Sequence, residues 1–242
     1  MAKTYFISDL HLQENNPRIT QIFLHFLNDI ANKADALYIL GDLFETWIGD
    51  DDCSHFATTI KTALKILVNH GVMVYFMHGN RDFILGKRFA NETGIQLLVD
   101  PTVQEIYGRK ILLMHGDLLC IDDVKYQAFR RKAHDPKFQA RMLRLPLWIR
   151  RLIALWARYK SKRHTKTTNL TIQDVNLNEV QRYMQQYHSN LLIHGHTHRP
   201  AIHELTINGQ TAKRIVLAAW HNCGHFIYID EGGIIESSDF LL

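Results

Sequence analysis

Short apolar runs of four or five residues recur along the chain, and Gly or Asp ends many of them. Runs of this length that are rich in β-branched and aromatic residues predict buried strands. Between them, apolar residues at helical spacing predict amphipathic helices. We predict strands near 4–7, 36–40, 72–76, 96–99, 103–107, 110–114 and 191–193, and helices near 18–33, 54–70 and 174–188, with a short helix after Asn80.

The C-terminal part alternates apolar and polar residues around two turn signals. Asn208-Gly209 predicts a tight hairpin and Gly232-Gly233 a second turn, so we interpret this region as a meander. Strands with crossover helices, followed by antiparallel pairs, predict an α/β protein with mixed sheets packed between helices. For 242 residues we expect one domain over 1–242, with an insertion at about 124–168.

Five of the predicted strands lead directly into side chains that can bind metal ions. One such residue alone is more often a helix cap or a polar group with a structural role. Five segments together, the last with two histidines on one Gly turn, predict two adjacent sites for divalent metals. Such pairs are typical of enzymes that attack phosphorus in line. The segments are YFISDLH, YILGDLFE, YFMHGNRD, ILLMHGD and LLIHGHTH, which supply Asp9, His11, Asp42, Asn80, His115, His196 and His198.

Other chemistries find no support in the sequence. No GxxxxGK, GxGxxG, HExxH or GxSxG motif occurs. Cys53, Cys120 and Cys223 have no CxxC spacing, so we expect neither a disulfide framework nor a thiolate zinc site, and we interpret Cys120 as a buried structural thiol. The sequence shows no signal peptide and no long apolar span, which predicts a cytoplasmic protein.

The segment 124–168 differs from the rest of the chain in its charge. It carries fourteen Lys or Arg and one acid, Asp135, whereas the whole chain has a net charge of only +4. It is also rich in large apolar groups, and Leu145, Trp148, Leu152 and Leu155 recur at helical spacing. The pattern predicts basic amphipathic helices.

Three interpretations of this basic segment are open. It could be a helical hairpin whose apolar stripe packs on the main domain while its charges are solvated. It could bind nucleic acid, because clustered cations release counterions from phosphates, although its aromatics do not form an obvious stacking platform. We favour a cap that contacts an anionic membrane surface and covers a lipid-bearing substrate.

The series of segments from Asp9 to His198 resembles the motifs of the calcineurin-like metallophosphoesterases, in the family's order. Gly79-Asn80-Arg81-Asp82 departs from the more usual Gly-Asn-His-Asp of this family. Together with ILGDLFETWIGDDD, HGNRDFILG, MHGDLLCIDD, YQAFRRK and LLIHGHTHRP, it is similar to the members that hydrolyse UDP-2,3-diacylglucosamine. The similarity extends over nearly the whole chain and includes the basic segment.

This resemblance implies a four-layer α/β/β/α sandwich with a helical lid, peripheral on the cytoplasmic face of a Gram-negative inner membrane. The implied reaction of lipid A biosynthesis cleaves the pyrophosphate of UDP-2,3-diacylglucosamine to UMP and 2,3-diacylglucosamine 1-phosphate (lipid X), with a hydroxide activated by two metal ions. The implied partners are this lipid-linked UDP-sugar and an anionic membrane surface. We expect no nucleic acid and no obligate protein partner.

The resemblance also implies which residues surround each metal ion. Asp9, His11, Asp42 and His198 would surround one ion. Asp42, Asn80, His115 and His196 would surround the other, so that Asp42 bridges the two. We expect two Mn²⁺ per chain, and these ligand types are also compatible with Fe, Zn or Co.

Arg81, Asn80 and His115 are the residues expected to act in catalysis. Arg81 is permanently charged and cannot protonate a leaving group, but UMP leaves readily and a guanidinium can hold two phosphate oxygens. The alternative role for Arg81 is a structural ion pair, for example with Asp82. The expected substrate contacts are Asn80, Arg81, Asp123, Ser161, Thr165, Lys166 and His196.

The chain departs from the family's pattern at two places outside the ligands. Thr168 stands where we expect a Lys, and Lys166 is the proposed substitute; Ala218-Ala219 stand where Gly-Asp is common before Trp220. We interpret Asp50–Asp52 as a solvated loop, and Trp47 as either a wall of the pocket or a core residue. Two other functions stay open: a metallophosphoesterase for another phosphodiester, such as a nucleotide or nucleic acid, and a non-catalytic scaffold of the same fold.

Overall fold

A computed structural model describes residues 3–167, 174–233 and 235–241, without the side chains of 160–167. These residues form eleven strands and seven α-helices. The strands are β1 (Lys3–Ile7), β2 (Ala36–Leu40), β3 (Met73–Met77), β4 (Gln96–Leu98), β5 (Thr102–Ile106), β6 (Arg109–Met114), β7 (Leu191–His194), β8 (Ala201–Ile207), β9 (Gln210–Val216), β10 (Gly224–Asp230) and β11 (Ile235–Phe240). The helices are α1 (Pro17–Asp29), α2 (His55–Asn69), α3 (Lys87–Thr93), α4 (Val124–Ala133), α5 (Pro136–Leu143), α6 (Leu147–Thr167) and α7 (Leu177–Gln186).

The strands assemble into two mixed sheets. The first has the order β11-β10-β1-β2-β3-β4, with β1 to β4 parallel, β10 antiparallel to β1 and β11 antiparallel to β10. The second has the order β5-β6-β7-β9-β8, with a parallel centre and an antiparallel strand at each edge. Because the carboxyl ends of parallel strands meet at one edge of a sheet, the loops after β1, β2 and β3 are neighbours.

The two sheets pack face to face between layers of helices. Side chains alternate between the two faces of a strand, so each sheet contributes to two apolar clusters. Phe6 of β1 and Ile111 of β6 lie in the cluster between the sheets. Ile7 of β1 packs with helices α1 and α2 outside the first sheet, and Leu112 of β6 packs with α7 outside the second. The predicted four-layer α/β/β/α sandwich is confirmed.

Local signals set most element boundaries, with small differences from the prediction. Helix α2 begins after Ser54, whose hydroxyl accepts a hydrogen bond from the Ala57 amide at 3.2 Å. The predicted helix 18–33 was too long, since α1 ends at Asp29 and residues 31–33 form a separate 3-10 turn. The Asn208-Gly209 hairpin is confirmed, and both residues have the positive φ that this turn requires.

The interpretation of the C-terminal part as one meander was wrong. The β8–β9 hairpin belongs to the second sheet, where β9 pairs in parallel with β7. The β10–β11 hairpin belongs to the first sheet, where β10 pairs with β1. A turn signal is local, whereas the choice of sheet depends on pairing with strands far away in the sequence.

Helices α4, α5 and α6 form the basic segment. Helix α6 packs on the domain through a basic residue and exposes its apolar side chains to solvent. Arg150 is only 3% exposed, and its guanidinium donates to the Ile48 carbonyl and to the Asp51 carboxylate. Trp148, Leu152 and Leu155 point outward and are 59–67% exposed. The hairpin interpretation, with its apolar stripe inward and its charges solvated, is therefore wrong for α6.

The acidic run Asp50–Asp52 is not a solvated loop, because each carboxylate holds a neighbouring element. Asp50 accepts hydrogen bonds from the amides of Gly86 and Phe89 at the start of α3. Asp51 pairs with Arg150, and Asp52 with Arg151, so this loop fastens α6 to the domain. Within the described parts of the chain, no helix is both long enough and apolar enough to cross a membrane.

Candidate metal centre

Backbone hydrogen bonds extend the pairing of β1 and β2 into the loops that carry the first predicted ligands. The amides of Asp9 and His11 donate to the carbonyls of Gly41 and Asp42, at 3.1 and 3.0 Å. The last segment joins the same cluster, since the His196 amide donates to Asp9 Oδ2 at 2.8 Å. Residues that are far apart in the sequence are therefore held together by main-chain contacts as well as by side chains.

Five of the seven predicted ligands have left-handed backbone conformations, which non-glycine residues rarely adopt. Asp9, His11, Asp42, His196 and His198 have φ values of 54°, 51°, 53°, 70° and 55°. Such conformations persist only where the surrounding structure determines them, and they cluster at functional sites. They turn each side chain out of its strand direction and toward a common point at the sheet edge.

One group of ligand atoms is formed by Asp9, His11 and His198. His198 Nε2 lies 3.2 Å from Asp9 Oδ1 and 3.3 Å from His11 Nε2. These atoms are close enough to bind one cation together. Oxygen and imidazole nitrogen atoms suit a divalent transition metal.

A second group is formed by Asp9, Asp42 and His115, so the two groups share Asp9. Asp42 lies between them, because Oδ1 is 3.9 Å from His115 Nε2 and Oδ2 is 4.0 Å from His11 Nε2. The His196 ring centroid is 5.0 Å from that of His115. Asn80 Oδ1 and His115 Nε2 are buried without a hydrogen-bond partner among the described residues, as expected for atoms directed at an ion.

Glycines allow the loops to approach this closely. A Cβ atom at Gly79 would lie 2.2 Å from Asp42 Oδ1, and one at Gly195 would lie 2.3 Å from Asp9 Oδ2. A side chain at either position would therefore displace a carboxylate of the site. Gly79 and Gly195 are thus needed for close packing against a ligand from another strand.

The buried carboxylates create a strongly negative site. Burial opposes the charged form of His115, but Asp42, Asp117 and Asp9 outweigh it and raise the pKa of His115 to about 9. Burial likewise opposes ionisation of Asp9, yet the hydrogen bond to His198 and the nearby histidines hold the pKa of Asp9 well below its usual range. A field that favours a proton on His115 equally favours a metal cation beside it.

The pKa of His196 is shifted in the direction opposite to that of His115. Its burial, together with the charge of His115, lowers the pKa of His196 to about 3. A neutral imidazole keeps a lone pair available, which a metal ligand requires.

Arg81 lies at the edge of the cluster with a quarter of its side chain exposed, and its Nε is 4.0 Å from Asp42 Oδ2. The alternative of an ion pair with Asp82 disagrees with the structure, in which Asp82 is fully buried. Its carboxylate accepts hydrogen bonds from the amides of Gly79, Asp42 and Phe44 at 2.9–3.4 Å. Asp82 therefore holds two ligand loops together, and Arg81 is directed toward the centre.

The other predicted site residues do not belong to the two groups of ligand atoms. Asp123 caps α4, and its carboxylate accepts from the Tyr126 amide at 2.9 Å. The side chains of Ser161, Thr165 and Lys166, and the whole of Thr168, lie outside the described residues. Trp47 is a core residue and packs on Phe44 and Phe89. Cys120 is buried, as predicted, and burial raises its pKa to about 12.

The sequence interpretation missed residues that fasten the basic segment to the site. The Tyr126 hydroxyl donates to Asp117 Oδ2 at 2.6 Å, and its ring is tilted by 36° to that of His196. Arg130 Nε donates to the same Asp117 oxygen at 2.7 Å. Asp117 follows His115 within the motif MHGD, and that position was the available signal. Glu45 follows Asp42 in the same way.

These features define a phosphoesterase with a divalent-metal site, and comparison with known proteins agrees. The family model for calcineurin-like phosphoesterases matches residues 2–200, and the chain belongs to this family. The predicted resemblance to the family is confirmed.

Curated relatives match over almost their full lengths. A UDP-2,3-diacylglucosamine hydrolase of Enterobacter sp. (strain 638) is 53% identical over 96% of both chains. A UDP-2,3-diacylglucosamine hydrolase of Escherichia coli O81 (strain ED1a) is 54% identical over 93% of this chain and 94% of its own. A solved structure described as a novel archaeal phosphodiesterase aligns with 98% of this chain and 99% of its own, at 13% identity and a TM-score of 0.47.

Proposed function

We propose that this chain hydrolyses the pyrophosphate bond of UDP-2,3-diacylglucosamine and releases UMP and 2,3-diacylglucosamine 1-phosphate (lipid X) for lipid A biosynthesis. The observation that carries the proposal is the identity of 53% over 96% of the chain with a relative that bears this activity in its name. That identity covers the basic segment as well as the ligand motifs. The two groups of ligand atoms at one sheet edge support a metal-dependent hydrolysis.

The chain offers ligands for two divalent cations, for which we propose Mn²⁺. Asp9, His11, Asp42 and His198 would hold one, and Asp42, Asn80, His115 and His196 the other. When bound, two such cations lower the pKa of a bound water molecule, so that hydroxide is available at neutral pH, and they neutralise charge on phosphoryl oxygens. The neutral state of His196 and the carboxylates around His115 fit this role.

The residues of the chain position the substrate around that centre. The Arg81 guanidinium is close enough to the site to hold phosphate oxygens and to offset the charge that develops on them. No residue has to protonate the leaving UMP, because a nucleotide phosphate leaves as a weak base. The proposed contacts to the glucosamine phosphate are Asn80, Arg81, Asp123, Ser161, Thr165, Lys166 and His196.

We propose that residues 1–242 form one domain and that 124–168 acts as its lid. The contacts of α4 and α6 with the site segments support this division. The Tyr126 ring of α4 lies 5.6 Å from that of His196, and Arg158 of α6 pairs with Glu45 beside His11. An acyl-bearing substrate would lie between these helices and the ligands, because apolar side chains of the lid can accept the acyl chains.

The test of the reaction is ³¹P NMR of the metal-depleted protein with UDP-2,3-diacylglucosamine, before and after addition of Mn²⁺. We expect the pyrophosphate resonances to be replaced by those of UMP and the lipid monophosphate only when Mn²⁺ is present. Bis(p-nitrophenyl) phosphate serves as a generic phosphodiester in a parallel assay. If only this compound is cleaved, the chain acts on another phosphodiester, and if neither is cleaved, the scaffold alternative is correct.

A membrane contact of the lid is part of the proposal. The exposed face of α6 combines Trp148, Leu152 and Leu155 with a net positive segment, and such a face binds anionic bilayers through apolar burial and headgroup attraction. The proposed location is the cytoplasmic face of the inner membrane.

Flotation with vesicles that contain phosphatidylglycerol measures this contact. Trp148→Gln combined with Leu155→Gln should lower the bound fraction at least about tenfold, because two exposed apolar side chains no longer enter the bilayer. The matched control is Val99→Gln, which changes a 77% exposed apolar residue outside the lid. Equal binding of all three proteins, or loss of binding in the control, would contradict the proposed contact.

A further inference from the structure

Glu45 lies between a predicted metal ligand and the lid helix. Its Oε2 is 3.0 Å from His11 Nδ1, and its carboxylate also pairs with the Arg158 guanidinium of α6. Each of the three side chains exposes only 16–17% of its surface, so the contacts are largely shielded from water. Shielded charge pairs of this kind are stronger than pairs on the surface.

The main chain fixes Glu45 relative to His11. The Glu45 amide donates to the Leu12 carbonyl at 3.0 Å, and Leu12 and Phe44 form a parallel β-bridge. The ligand loop after β1 and the loop after β2 therefore form one rigid unit. The backbone therefore keeps Glu45 close to His11, and the Glu45 side chain reaches the imidazole from there.

The contact has a direct consequence for the ligand atom of His11. A neutral imidazole carries its proton on one nitrogen only, and a carboxylate beside Nδ1 favours the proton there. Nε2 is then the nitrogen with a free lone pair. It is also the atom that faces Asp42 and His198, at 4.0 and 3.3 Å. Carboxylates that orient metal-binding histidines in this way strengthen metal binding.

Arg158 connects this arrangement to the lid. Two other arginines of α6, Arg150 and Arg151, pair with Asp51 and Asp52, and neither of these acids touches a predicted ligand. Arg158 pairs with the acid that contacts His11. Movement of this part of α6 would therefore withdraw the cation that holds the Glu45 carboxylate in place.

We propose that Glu45 is a positioning residue that orients His11 for metal binding, and that Arg158 makes this orientation depend on the docked lid. The inference rests on the proposed function, because it assumes that His11 binds a metal ion. The proposal links closure of the lid to the metal affinity of the site that includes His11.

The test measures Mn²⁺ binding to metal-depleted protein, by the electron paramagnetic resonance signal of free Mn²⁺, without any substrate. Glu45→Ala should weaken one of the two sites by roughly 10–100-fold and leave the other unchanged. Glu45→Gln, which keeps the shape and one acceptor oxygen, should weaken it less. The matched control is Glu179→Gln on α7, a partner of Arg182 that is 18% exposed and so as shielded as Glu45; this variant should bind like the wild type.

Arg158 is tested in the same titration and by kinetics. Arg158→Ala should weaken the same site by less than about tenfold and raise KM, because the lid docks less firmly. In the Glu45→Ala background it should weaken Mn²⁺ binding no further, since its partner is already gone. Arg144→Ala changes an exposed arginine of the same segment and is the matched lid control, so it should leave Mn²⁺ binding unchanged.

The outcomes separate this inference from the proposed function. If the wild type binds no Mn²⁺, the proposed metal centre is wrong. If the wild type binds Mn²⁺ and Glu45→Ala binds it equally well, the positioning role of Glu45 is wrong. If Arg158→Ala and Glu45→Ala act independently on Mn²⁺ affinity, the link to the lid is wrong. Thermal melting of each metal-depleted variant identifies a change that merely unfolds the protein.

Discussion

Replacing Asp42 with Asn is expected to reduce hydrolysis of UDP-2,3-diacylglucosamine by roughly 10³-fold or more, since loss of a single group that stabilises transition-state charge already lowers turnover by about 10²–10³-fold. Asp42 is 2% exposed, and its two oxygens face His115 on one side and His11 on the other. Asn preserves the shape but removes the negative charge that two neighbouring cations would share. We therefore expect the Mn²⁺ content to fall from about two per chain to one or fewer.

The same substitution should not destabilise the metal-free protein. Burial, together with repulsion from the neighbouring Asp42 charge, raises the pKa of Asp82 to about 7. Removing the Asp42 charge relieves this repulsion and also removes the attraction of Asp42 for His115, so the two effects offset each other. The hydrogen bond from the Arg81 amide to Oδ1 can still form to the Asn oxygen. Melting of the metal-free variant is thus expected close to the wild-type temperature.

The measurements are Mn²⁺ content by elemental analysis, turnover by ³¹P NMR and melting by circular dichroism. Asp29→Asn is the matched control, because Asp29 is an exposed residue of α1 whose recorded partners are His25 and Asn28. It should change none of the three quantities. A variant at position 42 that keeps two Mn²⁺ and normal turnover would show that Asp42 is not part of the metal centre.

Arg81→Ala is expected to lower turnover by roughly 10²–10³-fold, because it removes a charged group that can stabilise the developing charge on phosphate. A guanidinium is not a metal ligand, so the Mn²⁺ content should remain at about two per chain. Arg81→Lys keeps the charge but loses the two-pronged geometry and should give an intermediate rate. A loss of turnover without a loss of Mn²⁺ distinguishes the role of Arg81 from that of the metal ligands.

Arg88→Ala is the matched control for this change. Arg88 lies seven residues further along and pairs with Glu92 on the surface of α3, away from the ligand loops. It should have wild-type turnover. If Arg81→Ala loses its metal ions or its fold, Arg81 has a structural role, and the assignment to transition-state stabilisation is wrong.

The metal-binding chemistry could be predicted because each motif is local. Asp9 and His11 follow β1 directly, Asp42 follows β2, and the strands themselves are visible as short apolar runs. Strands that alternate with crossover helices and are followed by antiparallel pairs also predicted mixed sheets packed between helices. The structure adds the left-handed backbone at five ligands, which the residue types alone do not show.

The roles of the charged residues around the site could not be predicted in the same way. We interpreted Asp51 and Asp52 as part of a solvated loop, yet they bind α6 through Arg150 and Arg151. Glu45 lies within the segment YILGDLFE, but its contacts with His11 and Arg158 were not predicted. In each case the arginine partner lies about a hundred residues away, and no local pattern specifies such a pairing.

The sequence by itself determined the strands, the order of the ligand motifs and the class of chemistry, because periodicity, turn residues and ligand type are properties of short segments. Only the tertiary structure decided which sheet each C-terminal hairpin joins and which face of α6 is buried. A helical wheel shows that Arg150 and Trp148 lie on different faces, but it does not show which face meets the domain. That choice depends on whether carboxylates such as that of Asp51 are present to offset the desolvation of an arginine, and their position is known only once the distant segments have packed together.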